Sequence, residues 1–94
     1  MKALLRIHGR VQGVCYRVWT MEEARRRGLK GWVRNHQDGT VEVLLAGVKD
    51  KITDMIAACR LGPSAANVVE IEVKLVNVEI GDAFETRPSV QHAP

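Results

Sequence analysis

Apolar and polar residues alternate along residues 3–11, with Ala3, Leu5, Ile7 and Val11 on one face and Leu4, Arg6, His8 and Arg10 on the other. A period of two predicts a strand with one covered face and one wetter face. Over residues 17–28 the spacing changes to three, through Val18, Met21 and Ala24, with Glu22 and Glu23 turned outward and Gly28 at the stop. That pattern predicts a helix. Residues 30–36 read as a second strand, Val33 and Asn35 sharing one face and Trp32, Arg34 and His36 the other. Gln37-Asp38-Gly39 then reads as a short hairpin connection, and residues 40–46 as a third strand with Val41, Val43 and Leu45 aligned. Residues 48–60 carry the cleanest helical stripe, Val48, Ile52, Met55, Ile56 and Cys59, closed by Leu61-Gly62-Pro63-Ser64. Alternation returns over residues 67–76, Val69, Ile71, Val73 and Leu75 against Glu70, Glu72 and Lys74. Residues 83–87 read as a short last strand with Phe84 and Thr86 inward, and the polar tail 88–94 is expected to be loose.

The resulting order, β-α-β-β-α-β with a short extra strand, predicts an α+β fold of the ferredoxin-like, split βαβ kind. One antiparallel sheet carries both helices on one face. The chain is expected to form one domain over residues 1–94, its core about 3–87. Such a fold hosts many activities, so function has to come from particular residues.

Composition narrows the classes. Hydrophobic residues make up 46% of the 94, charged residues 27%, ordinary for a globular protein. No apolar run approaches the roughly 20 residues of a membrane span, and alternation from the third residue onward argues against a signal peptide. Two cysteines, Cys15 and Cys59, form neither a framework nor a metal spacing, which predicts reduced thiols and a cytoplasmic protein. A net charge of +3 mildly favours anionic partners. Arg25-Arg26-Arg27 closes the first predicted helix, where cations suit the dipole.

The candidate chemistry lies in Gly9-Arg-Val-Gln-Gly-Val-Cys-Tyr-Arg17, between the first strand and the first helix. Glycines at 9 and 13 permit positive φ and close backbone approach. A loop entering a helix offers unpaired N–H groups at a positive dipole end, a natural anion site. Arg17 would add a permanent charge whose fork matches phosphate oxygens. The residue types alone allow a second reading, a βα connection in which the glycines only turn the chain and the arginines are solvated.

The same residues resemble acylphosphatases. The likeness rests on Gly9 to Arg17, Ala24, Gly28-Leu-Lys-Gly-Trp-Val-Arg-Asn35, Asp38-Gly-Thr-Val-Glu-Val43 and Gly47. Two blocks in the right order and distance are far more specific than either alone. The resemblance implies a hydrolase that converts small-molecule acyl phosphates to carboxylate and inorganic phosphate, without metal, cofactor or covalent intermediate. It implies Arg17 as the phosphate-binding arginine and Asn35 as the residue that positions the attacking water. The loop Arg10, Val11, Gln12, Gly13, Val14, Cys15 and Tyr16 would supply phosphate-binding amides. Tyr16 departs from the family's usual phenylalanine, so its hydroxyl needs a partner. A monomer that binds neither nucleic acid nor membrane is expected.

Rival constellations are weaker. A cysteine phosphatase loop needs an arginine six residues after the cysteine, where Met21 and Ala65 stand. No Walker ending is present, and His8, His36 and His92 are not at ligand spacing. An RNA-binding sheet would want aromatics on its central strands, and residues 3–9 and 40–46 have none. An acylphosphatase-like accessory domain of the hydrogenase-maturation or carbamoyl-transfer type keeps the fold and changes the job.

Overall fold

The computed structural model describes residues 1–90; residues 91–94, with His92 and the end of the expected tail, lie outside the described residues. Five strands and two helices follow in the order β1 (Lys2–Arg10), α1 (Tyr16–Arg26), β2 (Lys30–Asn35), β3 (Val41–Ala46), α2 (Lys49–Leu61), β4 (Asn67–Leu75) and β5 (Phe84–Thr86). They form one sheet in the spatial order β4-β1-β3-β2-β5. The first four strands pair antiparallel, as the alternation predicts, with Leu5 opposite Val43 and Val33 opposite Val43 across β3. β5 instead runs parallel to β2, Gly31 opposite Phe84, so the sheet is mixed. Alternation reports the face of a residue and not the direction of its strand, which is why the expectation of one antiparallel sheet fails at β5.

The core lies between the sheet and the helices. Ala3, Leu5, Ile7, Val33, Val43 and Leu45 from the strands meet Tyr16, Ala24, Ile52, Met55 and Cys59 from the helices, all buried. β3 is buried along its whole length because it has a strand on either side, and Glu42 and Leu44 are covered even on the face without helices. Among the described residues no helix is long and apolar enough to cross a membrane.

Three expected stripes shift. In α1 the buried residues are Tyr16, Thr20 and Ala24, spaced by four, and Val18 is exposed. The helix begins one residue earlier than predicted, and its large inward ring is Tyr16. In α2 the inward set is Ile52, Met55 and Cys59; Val48 is the N-cap residue and exposed. On β4 only Ile71 is buried, and Val69, Val73 and Leu75 stand open at the sheet edge. The expected loose tail is corrected too. Residues 88–90 continue alongside β2, where the Val90 N–H donates to the Asn35 carbonyl at 2.8 Å.

Candidate active site

β1 ends in a bulge. Its pairing with β4 shifts between His8 and Gly9, Gly9 has φ 123°, and a Cβ there would overlap the Asn67 carbonyl oxygen. Glycine alone fits, and the bulge re-aims the chain into the loop. Gly13 (φ 74°) and Cys15 (φ 63°) then hold left-handed backbone, uncommon for a residue with a Cβ. Cys15 is the N-cap of α1, yet makes no side-chain cap bond, and the first turn holds no acid. Among the described residues, amides 12–18 donate no hydrogen bond; the first paired amide is that of Trp19, to the Cys15 carbonyl at 3.0 Å. The positive end of α1 is therefore left without the partners that usually neutralise it.

These amides border a cavity of about 300 Å³. Its lining brings Arg17 and Asn35 together with Gln12, Gly13 and Cys15, while the buried Val11 and Tyr16 also contribute. Of the predicted loop, Arg10 and Val14 do not line it: Arg10 is the exposed last residue of β1, and Val14 turns into the core. Val18, 51% exposed, joins the lining although the sequence reading had turned it inward. A larger hollow of about 500 Å³ lies on the open sheet face. Its Arg6 and His8 are already matched, Arg6 by Asp38 and Glu42 and His8 by Glu72.

Arg17 differs from those two residues. No carboxylate pairs with it among the described residues, and its hydrogen bond is a long one from Nη1 to the Arg87 carbonyl, 3.4 Å. Asn35 ends β2, fixed through its backbone opposite Val41. Its side-chain amide forms no hydrogen bond among the described residues, so oxygen and nitrogen are both available to a ligand or a water. Gln12 joins the two halves. Its Nε2 donates to the His36 carbonyl at 2.7 Å and to the Thr40 carbonyl at 2.8 Å. The loop that precedes Arg17 is thereby tied to the hairpin that carries Asn35. Sequence reasoning credited Gln12 with its backbone only; no pattern in the chain announces where a side-chain amide will reach.

Behind the hairpin sits a charge cluster. Glu42 Oε1 accepts from Arg34 Nε at 2.7 Å and pairs with His36 Nε2 at 2.9 Å. Arg6 lies 3.5 Å from the other oxygen. Burial pushes the Glu42 carboxyl upward, and the bonds from His36 and Arg34 outweigh it and hold the group below its ordinary value. The Tyr16 hydroxyl, the one departure in the first block, donates to the Cys59 carbonyl at 2.6 Å. Both cysteines are free: Cys15 is exposed, and Cys59 is buried, its thiol pushed up to about 12 chiefly by burial.

A sequence model of the acylphosphatase family matches residues 3–86. An acylphosphatase of Nitrobacter hamburgensis is 49% identical over 90 residues, covering 89% of this chain and 91% of its own. The structure of an acylphosphatase from Bacillus subtilis superposes with a TM-score of 0.87 at 32% identity, covering 92% of this chain and 97% of that one. Full-length HypF, in a phosphate- and nucleotide-bound form, contains a similar region, with a TM-score of 0.89 at 28% identity; it covers 96% of this chain and 12% of that one. With a family model spanning nearly the whole described chain and relatives matched almost end to end, the chain belongs to the acylphosphatase family.

Proposed function

We propose that Arg17 and the free amides of residues 12–18 hold the phosphate of an acyl phosphate, and that Asn35 orients the water that attacks it. The observation that carries this reading is an uncapped, acid-free helix start bordering the same cavity as Arg17 and Asn35. The carboxylate of an acyl phosphate is already a good leaving group, so positioning and charge stabilisation do most of the catalysis. Arg17 and the amides are directed at charge that grows on the phosphoryl oxygens in the transition state. Asn35 accepts a hydrogen bond from water through its amide oxygen and places that water in line with the breaking bond. The water oxygen bonds to phosphorus as the bond from phosphorus to the acyl oxygen breaks, and the carboxylate leaves with that electron pair. The water's proton passes to a phosphate oxygen.

One chain supplies every group in this scheme, so the single domain of about residues 3–87 is the catalytic unit and a monomer suffices. No metal or other cofactor has a role in it. A cytoplasmic setting agrees with the exposed free thiol of Cys15. The guanidinium groups of Arg34 and Arg87 lie 4.4 Å and 5.1 Å from the ring centre of Trp32, so the structure gives a base-stacking platform there no added support. The likeness to HypF is at lower identity than that to the free-standing Bacillus subtilis enzyme, and gives an accessory role no added support.

The test is hydrolysis of benzoyl phosphate with chelator present, beside Arg17→Ala and an alkyl phosphate ester as control substrate. Expected are turnover of the acyl phosphate alone and a loss of about 10²-fold or more in the variant. Normal turnover by Arg17→Ala would overturn the assignment.

A further inference from the structure

The chain after β5 does not leave the domain. Arg87 N–H donates to the Val33 carbonyl at 2.8 Å, Val90 N–H donates to the Asn35 carbonyl at 2.8 Å, and Gln37 N–H donates back to the Val90 carbonyl at 3.1 Å. His36 and Val90 form a parallel bridge. Pairing with β2 thus passes over Pro88, which has no N–H to give, and resumes on either side of His36, at the Asn35 carbonyl and the Gln37 N–H. The same segment reaches the other proposed catalytic residue, since the Arg87 carbonyl accepts the bond from Arg17. Arg87 itself is anchored, its guanidinium 3.3 Å from Glu85 and over the Trp32 ring.

We infer that residues 87–90 form a strap that positions Asn35 for in-line attack, an inference that rests on the role proposed above for that residue. Asn35 is the last residue of its strand, the place where a ladder frays. On one side β3 holds it, through the pairing with Val41 and the bond from His36 N–H to the Thr40 carbonyl at 2.9 Å. On the other side the strap supplies the partners. Without them β2 would end as a free edge at the residue whose amide must hold a water to within a fraction of an ångström. Displacement of a reacting group by about 1 Å costs on the order of 10²-fold in rate. The strap is a positioning element and not a catalytic one: it meets Asn35 and Arg17, and none of residues 87–90 lines the cavity.

Val90→Pro tests it by deleting the one N–H that meets the Asn35 carbonyl. Proline also confines Ser89 to extended backbone, which this segment can adopt. The measurement is a double-mutant cycle on benzoyl phosphate with Val90→Pro, Asn35→Ala and the pair, together with inhibition by inorganic phosphate. Expected is a fall in kcat of roughly 10-fold for Val90→Pro in the wild-type background and little further loss in the Asn35→Ala background. Phosphate inhibition should stay within about 2-fold of wild type, because Arg17 and the loop amides are untouched. An unchanged kcat, or the same proportional loss in both backgrounds as general destabilisation would give, overturns the strap. A wild-type protein that fails to turn over benzoyl phosphate would instead overturn the reading on which it rests.

Discussion

Arg17 and Asn35 make different demands on their surroundings, and their variants should separate accordingly. In the proposed scheme Arg17 carries charge toward phosphate in both the bound and the transition state, so its loss should weaken phosphate inhibition and turnover together. Asn35 is an uncharged amide that lines the same cavity, and the scheme proposed above confines its task to the water. For Asn35→Ala the expected outcome is a fall in kcat of about 10² or more, with inhibition by inorganic phosphate nearly unchanged. Steady-state kinetics with phosphate as competitive inhibitor reads both quantities, and equal losses in both would refute the division of labour. The sequence singles these two residues out because each ends a block of fixed spacing, Arg17 after the glycine loop and Asn35 after Gly-Trp-Val-Arg, and the structure brings both to one cavity. Val18 was not legible. Its spacing with Met21 and Ala24 suggests a buried stripe, and only the left-handed Cys15, which fixes where the helix starts, turns it toward the cavity.

At the scale of elements, the β2–β3 hairpin is held on its open face by Glu42. That carboxylate is only 6% exposed, and Arg34, His36 and Arg6 surround it. Removing one member of a buried charge group leaves the others desolvated and unmatched. Because Arg34 and Arg6 keep some contact with water, the loss is discounted to roughly 1–3 kcal/mol for Glu42→Gln, readable as a lower midpoint in denaturant at pH 7. The sign of the pH dependence follows from the depressed carboxyl. The unfolded chain binds this proton near pH 4.5, the ordinary value for a glutamate, and the folded chain only at lower pH. The contribution of Glu42 is therefore complete above about pH 4.5 and is lost as pH falls through the folded value. Between neutral pH and pH 3 the wild type should lose more stability than Glu42→Gln, and curves that stay parallel would show that Glu42 is not the group responsible. The pairing of β2 with β3 was legible in the sequence; the cluster was not, since alternation puts Glu42 on the wet face and says nothing of two arginines and a histidine converging there.

For the whole molecule, the sheet order places β2 and the site between neighbours and leaves β4 as an open edge. The Val76 N–H donates to the Lys2 carbonyl at 3.1 Å. By the alternation of an antiparallel ladder, the even residues of β4 up to the bulge at Val69 therefore pair inward, and Ile71, Val73 and Leu75 direct their N–H and C=O groups outward. Val73 and Leu75 also carry exposed apolar side chains, Leu75 at 66%. The alternation that predicted the strand was read as burial, but α2 covers only Ile71. A long edge with unpaired backbone groups and apolar side chains is a template for another chain's strand, and lysine is a common means of blunting one. Leu75→Lys should reduce light scattering during heating or refolding at high protein concentration. Stability should change by about 0.5 kcal/mol or less, as for surface positions generally. Turnover should be unaffected, because Leu75 pairs with Ala3, at the end of β1 away from the loop that leads to Arg17. If scattering matches the wild type at equal stability, aggregation proceeds through some other surface, and the exposed row on β4 is tolerated for want of a partner that fits it.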